Sequence, residues 1–317
     1  MTAAFRTLSL LCVLLLFLLP ACKEDAPASA SASGQGVSSH TTSGGSDGAV
    51  EREGWPEVIR LGLIPSEGGA DIVARFAPLA AHLEAELGVP VDTFSASEYI
   101  GVITAMQNKQ VDVAYFGPKS YVEANRIAGA VAVARELNDL GQEGYFGIII
   151  ARRDSGMTTL DDAKGKTFGF VTPNSTSGFL VPSIGIIEHT GMRPSEFFGD
   201  VRYTGTHGSA IRAVLAGDLA VAATNTLDLI AMEQSGLDSS PLIELWRSEL
   251  IPSSPIAVRG DLPQSFQDAI RDAVVSLSEN PEALEAMARG GFVPGSDEDF
   301  DPIRALEQRR QELIDGS

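Results

Sequence analysis

The stretch Tyr145-Phe-Gly-Ile-Ile-Ile-Ala-Arg152 is apolar along most of its length and shows no polar–apolar alternation. Such a strand is buried on both faces, which places it centrally in an α/β sheet covered by helices. The chain on either side alternates in that sense. Val58 to Ile64, Val89 to Ser95 and Val111 to Phe116 read as strands. Ala70 to Leu87 reads as one helix, with Ile72, Phe76, Leu79, Leu83 and Leu87 at helical spacing. Further helices are expected at Tyr99 to Asn108 and Ser120 to Arg126.

A second run follows Arg152. Thr159 to Ala163 opens a short helix, and strands are expected at Thr167 to Val171, Val221 to Thr224, Leu242 to Arg247 and Pro255 to Val258. Helices are expected from Ser177, at Ser209 to Ala216 and at Leu227 to Gln234. Three more, at Gln264 to Leu277, Pro281 to Ala288 and Ile303 to Ile314, close the chain. Two α/β runs joined by crossing strands predict two lobes with a cleft between them. Ligands of such sheets bind beyond the carboxyl ends of the strands, where loops meet helix N-termini.

One turn stands out at such a place. After the strand ending at Thr172, Pro173 breaks the pattern, and Asn174-Ser175-Thr176-Ser177-Gly178 leads into an apolar periodic segment from Phe179. The first backbone N–H groups of a helix have no intrahelical acceptor, and the helix dipole is positive there. Hydroxyls at Ser175, Thr176 and Ser177 beside those donors, with Gly178 admitting a ligand to the backbone, form a neutral cup for a tetrahedral oxyanion. The alternative is that Ser175 or Ser177 simply caps the helix, for which one hydroxyl suffices. The turn lacks the Gly and Lys spacing of a nucleotide-binding P-loop.

The N-terminus reads as an export signal. Arg6 supplies the positive region, Leu8 to Leu19 a short apolar core, and Leu19-Pro20-Ala21-Cys22 a cleavage box of bacterial lipoprotein type, with Pro20 an unusual member. Residues 1–22 are thus expected to be a lipoprotein signal peptide, with Cys22 acylated and anchoring the chain to a membrane. The apolar core is too short to favour a bilayer span. The other cysteine, Cys12, lies in the part removed, so no thiol remains for a disulfide, metal site or nucleophile. Residues 23–54, rich in Ala, Ser, Gly and Thr, read as a flexible tether. His40 lies in it and carries no role.

The remainder divides into an expected first lobe, 55–150 plus 256–317, and a second, 151–255. Acidic residues number 42 against 23 basic, a net charge of −19, which argues against nucleic acid as a partner. An anion must instead be held by local donors in a desolvated cleft.

Several segments together resemble the phosphonate-binding PhnD-like proteins, the periplasmic substrate-binding components of phosphate, phosphite and phosphonate ABC importers. They are Pro173-Asn-Ser-Thr-Ser-Gly-Phe-Leu-Val-Pro182, Gln110-Val-Asp-Val-Ala-Tyr115 with Gly117, Gly144-Tyr145, and Leu250-Ile-Pro252 with Pro255. The resemblance covers nearly all of the globular part. It implies a two-lobed α/β periplasmic binding protein of type II with two crossover hinge strands, no cofactor and no metal. By the same resemblance, Ser175, Thr176, Ser177, His207, Tyr99 and Tyr145 would hold the phosphorus oxygens. Permease subunits would be the partners, and the location periplasmic or on the outer face of the envelope.

Each of these residues has a plainer reading. Tyr99 and Tyr145 could be half-buried aromatics whose hydroxyls reach water. His207 precedes a helix and could serve its N-terminus, and Tyr115 could line the cleft floor or pack in the core. His82 and His189 fall within or at the end of helical segments and read as structural.

Relatives that bind 2-aminoethylphosphonate carry one carboxylate in the helix after Asn225-Thr226 and another between the prolines of Ile-Pro-x-x-Pro. Here those positions hold Leu227 and Ser254. A buried ammonium without a carboxylate partner is costly, so an amine-free ligand is expected: phosphate, phosphite or a small alkylphosphonate. Asp228, one position on, reaches such a ligand only if the helix is rotated or its register shifted. Two other functional classes compete with this one. Enzymatic hydrolysis lacks a Gly-x-Ser-x-Gly elbow, a carboxylate to orient His207 and a metal-ligand cluster. A ligand-sensing subunit of a receptor kinase would use the same fold.

Overall fold

The computed structural model describes residues 52–316. The signal peptide, Cys22 and all but the end of the tether lie outside the described residues. The strands among them are β1 (Ile59–Leu63), β2 (Val91–Ser95), β3 (Val113–Tyr115), β4 (Ala130–Leu137), β5 (Gly144–Arg152), β6 (Thr167–Phe170), β7 (Asp200–Tyr203), β8 (Val221–Asn225), β9 (Leu242–Pro252), β10 (Pro255–Arg259) and β11 (Gly291–Pro294). The α-helices are α1 (Gly69–Arg75), α2 (Ala77–Leu87), α3 (Tyr99–Gln107), α4 (Pro118–Ala128), α5 (Val181–Thr190), α6 (Pro194–Phe197), α7 (His207–Ala216), α8 (Thr226–Gln234), α9 (Gln264–Ser276), α10 (Pro281–Met287) and α11 (Asp301–Asp315).

Two sheets result, of six strands in the order β11-β4-β10-β3-β1-β2 and five in the order β7-β6-β8-β5-β9. In the first, β2, β1 and β3 run parallel while β10, β4 and β11 pair antiparallel; in the second, β7, β6 and β8 run parallel and β5 and β9 antiparallel. This is the two-lobed α/β architecture. The chain crosses between sheets twice, from β4 to β5 and from β9 to β10. Because β5 pairs with β8 and β9, the first crossing falls at 138–143, ahead of the residue-150 boundary expected from sequence.

β5 is buried on both faces, as its sequence requires. Ile149 and Ala151 join Phe168 and Phe170 in one apolar cluster, while Ile148 and Ile150 join Val171 and Ile211 in another. At about 25 cal/mol per Å² of apolar surface, such double burial makes β5 the stabilising centre of its lobe.

Some local expectations change. The helix expected over Ala70 to Leu87 is broken at Phe76 (φ −91°, ψ 6°), because Pro78 has no N–H to give the preceding turn and its ring crowds that turn's carbonyl. Strands β4, β7 and β11 were not expected. β4 carries three alanines among its eight residues, a poor strand signature, and β7 and β11 have four residues each.

Candidate functional site

Five chain segments begin helical turns around one closed cavity. Tyr99 opens α3, Gly117 precedes α4, Ser175 precedes the turn leading to α5, His207 opens α7 and Asn225 caps α8. All nine residues singled out from sequence line this cavity: Tyr99, Tyr115, Tyr145, Ser175, Thr176, Ser177, His207, Leu227 and Ser254. The cavity measures about 30 Å³. That is room for about two or three waters, the scale of a compact ion.

The hydroxyl turn departs from a simple helix start. Thr176–Leu180 is a single π turn, closed by the Leu180 N–H donating to the Ser175 carbonyl at 3.1 Å, and α5 begins only at Val181. Wide turns of this kind occur often at functional sites. Ser175 does cap the turn, its Oγ accepting the Gly178 N–H at 3.0 Å. Thr176 Oγ1 accepts the Lys119 N–H at 2.8 Å, and Ser177 Oγ accepts from Asn225 Nδ2 at 3.2 Å. A hydroxyl carries one donor. With each oxygen already accepting from the protein, each hydroxyl hydrogen is left to donate.

Gly178 has another reason than ligand access. A Cβ there would lie 2.3 Å from Val171 Cγ2, so the glycine lets the turn pack on the end of β6.

Two of the aromatic hydroxyls, those of Tyr99 and Tyr145, add to the donor set, while Tyr115 donates to the Glu136 carboxylate at 3.1 Å. Burial pushes the Tyr99, Tyr115 and Tyr145 hydroxyls above the ordinary tyrosine value, so each keeps its proton. The Tyr99 hydroxyl faces Ser175, and the Tyr145 hydroxyl faces Ser177 and Thr176. His207 Nε2 lies 3.3 Å from Ser175 Oγ and its Nδ1 3.1 Å from Thr224 Oγ1. Burial pulls the His207 pKa down against the opposing effect of Asp228, which keeps the imidazole neutral.

Ile64, Ser66 and Arg289, which the sequence did not single out, complete the lining together with Gly117, Asn225 and Asp228, which it named without placing them in the site. Asp228 matters most. It was expected to reach a ligand only through a rotated or shifted helix, yet it lines the cavity beside Leu227. Asn225 explains this: its Oδ1 accepts the Asp228 N–H at 2.8 Å while its Nδ2 donates to Asp228 Oδ2 at 2.6 Å, which folds the carboxylate back over the helix start. Asn225 could have been found as a cap preceding an apolar helix. Arg289 could not. It lies 174 residues beyond Tyr115, to whose hydroxyl its Nη2 donates at 3.2 Å, while its Nε donates to buried Glu136 at 2.5 Å. It is the cationic side chain of the lining, already neutralised by Glu136.

The two lobes meet across the cavity. The His207 N–H donates to the Ser66 carbonyl at 2.7 Å, and Gly208 packs so closely that a Cβ would lie 2.3 Å from the Glu67 carbonyl. Arg75, paired with Glu67 at 2.7 Å, reaches from α1 to the Ala231 carbonyl and Ser235 Oγ at the end of α8.

Comparison with known proteins gives a consistent family. The model for the periplasmic substrate-binding proteins of ABC phosphonate transporters matches residues 61–300. The chain is 32% identical over 258 residues to the phosphonates-binding periplasmic protein of Escherichia coli K12, covering 79% of this chain and 76% of that protein. It is also 32% identical over 277 residues to the phosphate-import protein PhnD of Mycolicibacterium smegmatis, covering 80% and 85%. The solved structure of a binding protein component of an ABC phosphonate transporter from Pseudomonas aeruginosa superposes with a TM-score of 0.76 at 29% identity, over 81% of this chain and 87% of that one. With a family model matched over most of the chain and relatives at 32% identity, the chain belongs to the periplasmic substrate-binding proteins of ABC phosphonate transporters.

Proposed function

We propose that this protein captures a compact, amine-free phosphorus oxyanion, namely phosphate, phosphite or a small alkylphosphonate, and delivers it to the permease subunits of an ABC importer. The observation that carries the reading is the donor polarity of the cavity. Ser175, Thr176 and Ser177 each accept from the protein and keep a hydrogen to donate. Protonated Tyr99 and Tyr145 and five helical starts add donors of the same sign. Hydrogen bonds to an ionised acceptor are roughly twice as strong as neutral ones.

The amine-free part rests on size and on Ser254. A cavity of about 30 Å³ suits a phosphorus centre and its oxygens better than one extended by an aminoethyl arm. Asp228 then has a different use from pairing an ammonium: it is the acceptor for a P–OH hydrogen. The sensor reading is not favoured, since the relatives matched over about four-fifths of the chain are transport components. The lobes of the proposed clamp divide at 138–143 and 253–254.

Acylation at Cys22 is proposed to anchor the protein at the outer face of a membrane, the segment 23–54 acting as tether. No helix among the described residues is long and apolar enough to cross a bilayer. Changing Cys22→Ser should move the protein from the membrane to the soluble envelope fraction; retention at the membrane would refute the anchor.

Calorimetric titration with phosphate, phosphite, methylphosphonate and 2-aminoethylphosphonate in one buffer tests the ligand class. Saturable binding of one or more of the first three, with 2-aminoethylphosphonate clearly weaker, is expected. Equal or tighter binding of the aminophosphonate would overturn the amine-free reading and assign Asp228 to the ammonium.

A further inference from the structure

Away from the cleft, one cavity holds a cation that the protein leaves without an acceptor. It measures about 190 Å³ and lies where α11 crosses α5. Its aromatic wall is Phe170, Phe179 and Tyr203, with ring centres 5.1 to 6.0 Å apart. The Arg310 guanidinium lies over Phe179, 4.6 Å from the ring centre. Among the described residues Arg310 forms no ion pair, and its Nε is sealed from solvent with no hydrogen-bond partner.

That isolation is unusual on this surface. The adjacent Arg309 pairs with Glu188, and Arg304 on the same helix pairs with Asp297 and Asp301. Acids outnumber bases by 19 in the chain, yet none is placed on Arg310. A half-buried guanidinium without a counter-ion costs stability, and burial pushes its pKa below the ordinary arginine value. The second cation of the lining, Arg193, is paired with Glu196 at 3.3 Å on the rim, which leaves Arg310 as the vacant charge. Tyr203, also at the rim, is 55% exposed, a large aromatic face open to solvent.

We propose that this cavity is a second binding site, which takes a small planar carboxylate of the aromatic-acid class. The carboxylate pairs with Arg310 and the ring lies against Phe179 and Tyr203. Guanidinium geometry matches a carboxylate through two parallel hydrogen bonds, and aromatic walls favour a planar apolar body. The volume lies below the roughly 300 Å³ at which pockets begin to hold drug-sized ligands, so a single ring is the fitting size. Inorganic phosphate supplies the charge but nothing to cover the aromatic wall.

Benzoate is the probe. Calorimetric titration of the purified chain with benzoate should show one saturable site that acetate, lacking the ring, and benzamide, lacking the charge, do not occupy. Arg310→Met should weaken it by about tenfold, the scale of one desolvated charge-assisted contact, and Tyr203→Ser should weaken it independently. Thermal melts of both variants check folding. Absence of saturable benzoate binding, or undiminished binding in Arg310→Met, would overturn the proposal. So would competition by inorganic phosphate, which would place benzoate in the cleft. Because benzoate binding is read directly, failure here leaves the phosphorus-oxyanion reading standing, and the reverse holds.

Discussion

Asp228 Oδ2 lies 3.8 Å from His207 Nε2, with both side chains buried at the start of adjacent helices. Burial holds the His207 pKa below its ordinary 6.5, with the carboxylate opposing. The unfolded chain therefore takes up a proton near 6.5 and the folded chain only at lower pH. Stability associated with His207 is complete above 6.5 and is lost as pH falls below it. The melting temperature should drop as the pH is lowered from 6.5, and His207→Gln should flatten that drop. An equally steep drop in the variant would assign the acid sensitivity to other groups.

The same carboxylate should grade ligands by their protons. Hydrogen phosphate keeps a P–OH at mildly alkaline pH, whereas phosphite and methylphosphonate, once doubly ionised, have none to offer Asp228. Phosphate affinity should then hold as pH rises, while affinity for the other two falls. Asp228→Asn should erase the difference, by roughly 1.5 to 3 kcal/mol for one hydrogen bond to a charged group. Parallel pH profiles in the wild type would remove the P–OH contact.

Ser177 offers a cleaner test of the hydroxyl cup than Ser175. Ser175 also caps the π turn through Gly178, so removing it confounds folding with binding. Ser177 Oγ instead accepts from Asn225 Nδ2. Ser177→Ala should weaken oxyanion binding by roughly 1 to 3 kcal/mol with little change in melting temperature. Unchanged affinity in calorimetry would reduce Ser177 to a partner of Asn225.

What was legible in the sequence followed local physics. The doubly apolar run of β5 and the Ser-Thr-Ser turn after a strand are short-range signals, and the structure brings Tyr99, Tyr145 and His207 to that turn. What was not legible depended on contacts distant in the chain or on a single cap. Arg289 enters the lining through a loop of the C-terminal region, held by Glu136 and Tyr115. Asp228 turns inward because Asn225 bonds both its N–H and its carboxylate, so the helical phase at Leu227 alone misassigned the neighbouring position. Pro78 broke a helix whose apolar spacing runs unbroken through it.

Arg75 should set the balance between open and closed forms without touching the ligand. Its Nη2 donates to the Ala231 carbonyl at 2.7 Å and Ser235 Oγ at 2.9 Å, a cation at the negative end of α8, whose other end carries Asn225 and Asp228. Removing Arg75 alone would orphan buried Glu67, a loss of roughly 3 to 5 kcal/mol in folding. The double change Arg75→Met with Glu67→Gln avoids that. Small-angle scattering of the unliganded double variant should show a larger radius of gyration than the wild type, with affinity reduced. An unchanged radius would mean that Arg75 bears on the fold of α1 rather than on closure.

Gly178 tests whether the π turn is held by packing or by its ligand. An alanine Cβ there would fall 2.3 and 2.5 Å from Val171 Cγ2 and Cβ, and 2.8 Å from Ser175 Oγ. Such contacts cannot be relieved by a flexible side-chain end, since Val171 is fully buried at the close of β6. Overpacking of this kind costs about 1 to 3 kcal/mol. Gly178→Ala should therefore lower the unliganded melting temperature, and Val171→Ala in the same chain, which removes Cγ2 but keeps Cβ, should recover part of the loss. If the single variant melts like the wild type but binds oxyanion poorly, Gly178 serves the ligand's approach to the backbone. If the double variant recovers both stability and binding, the glycine serves the packing that holds Thr176 and Ser177 in place.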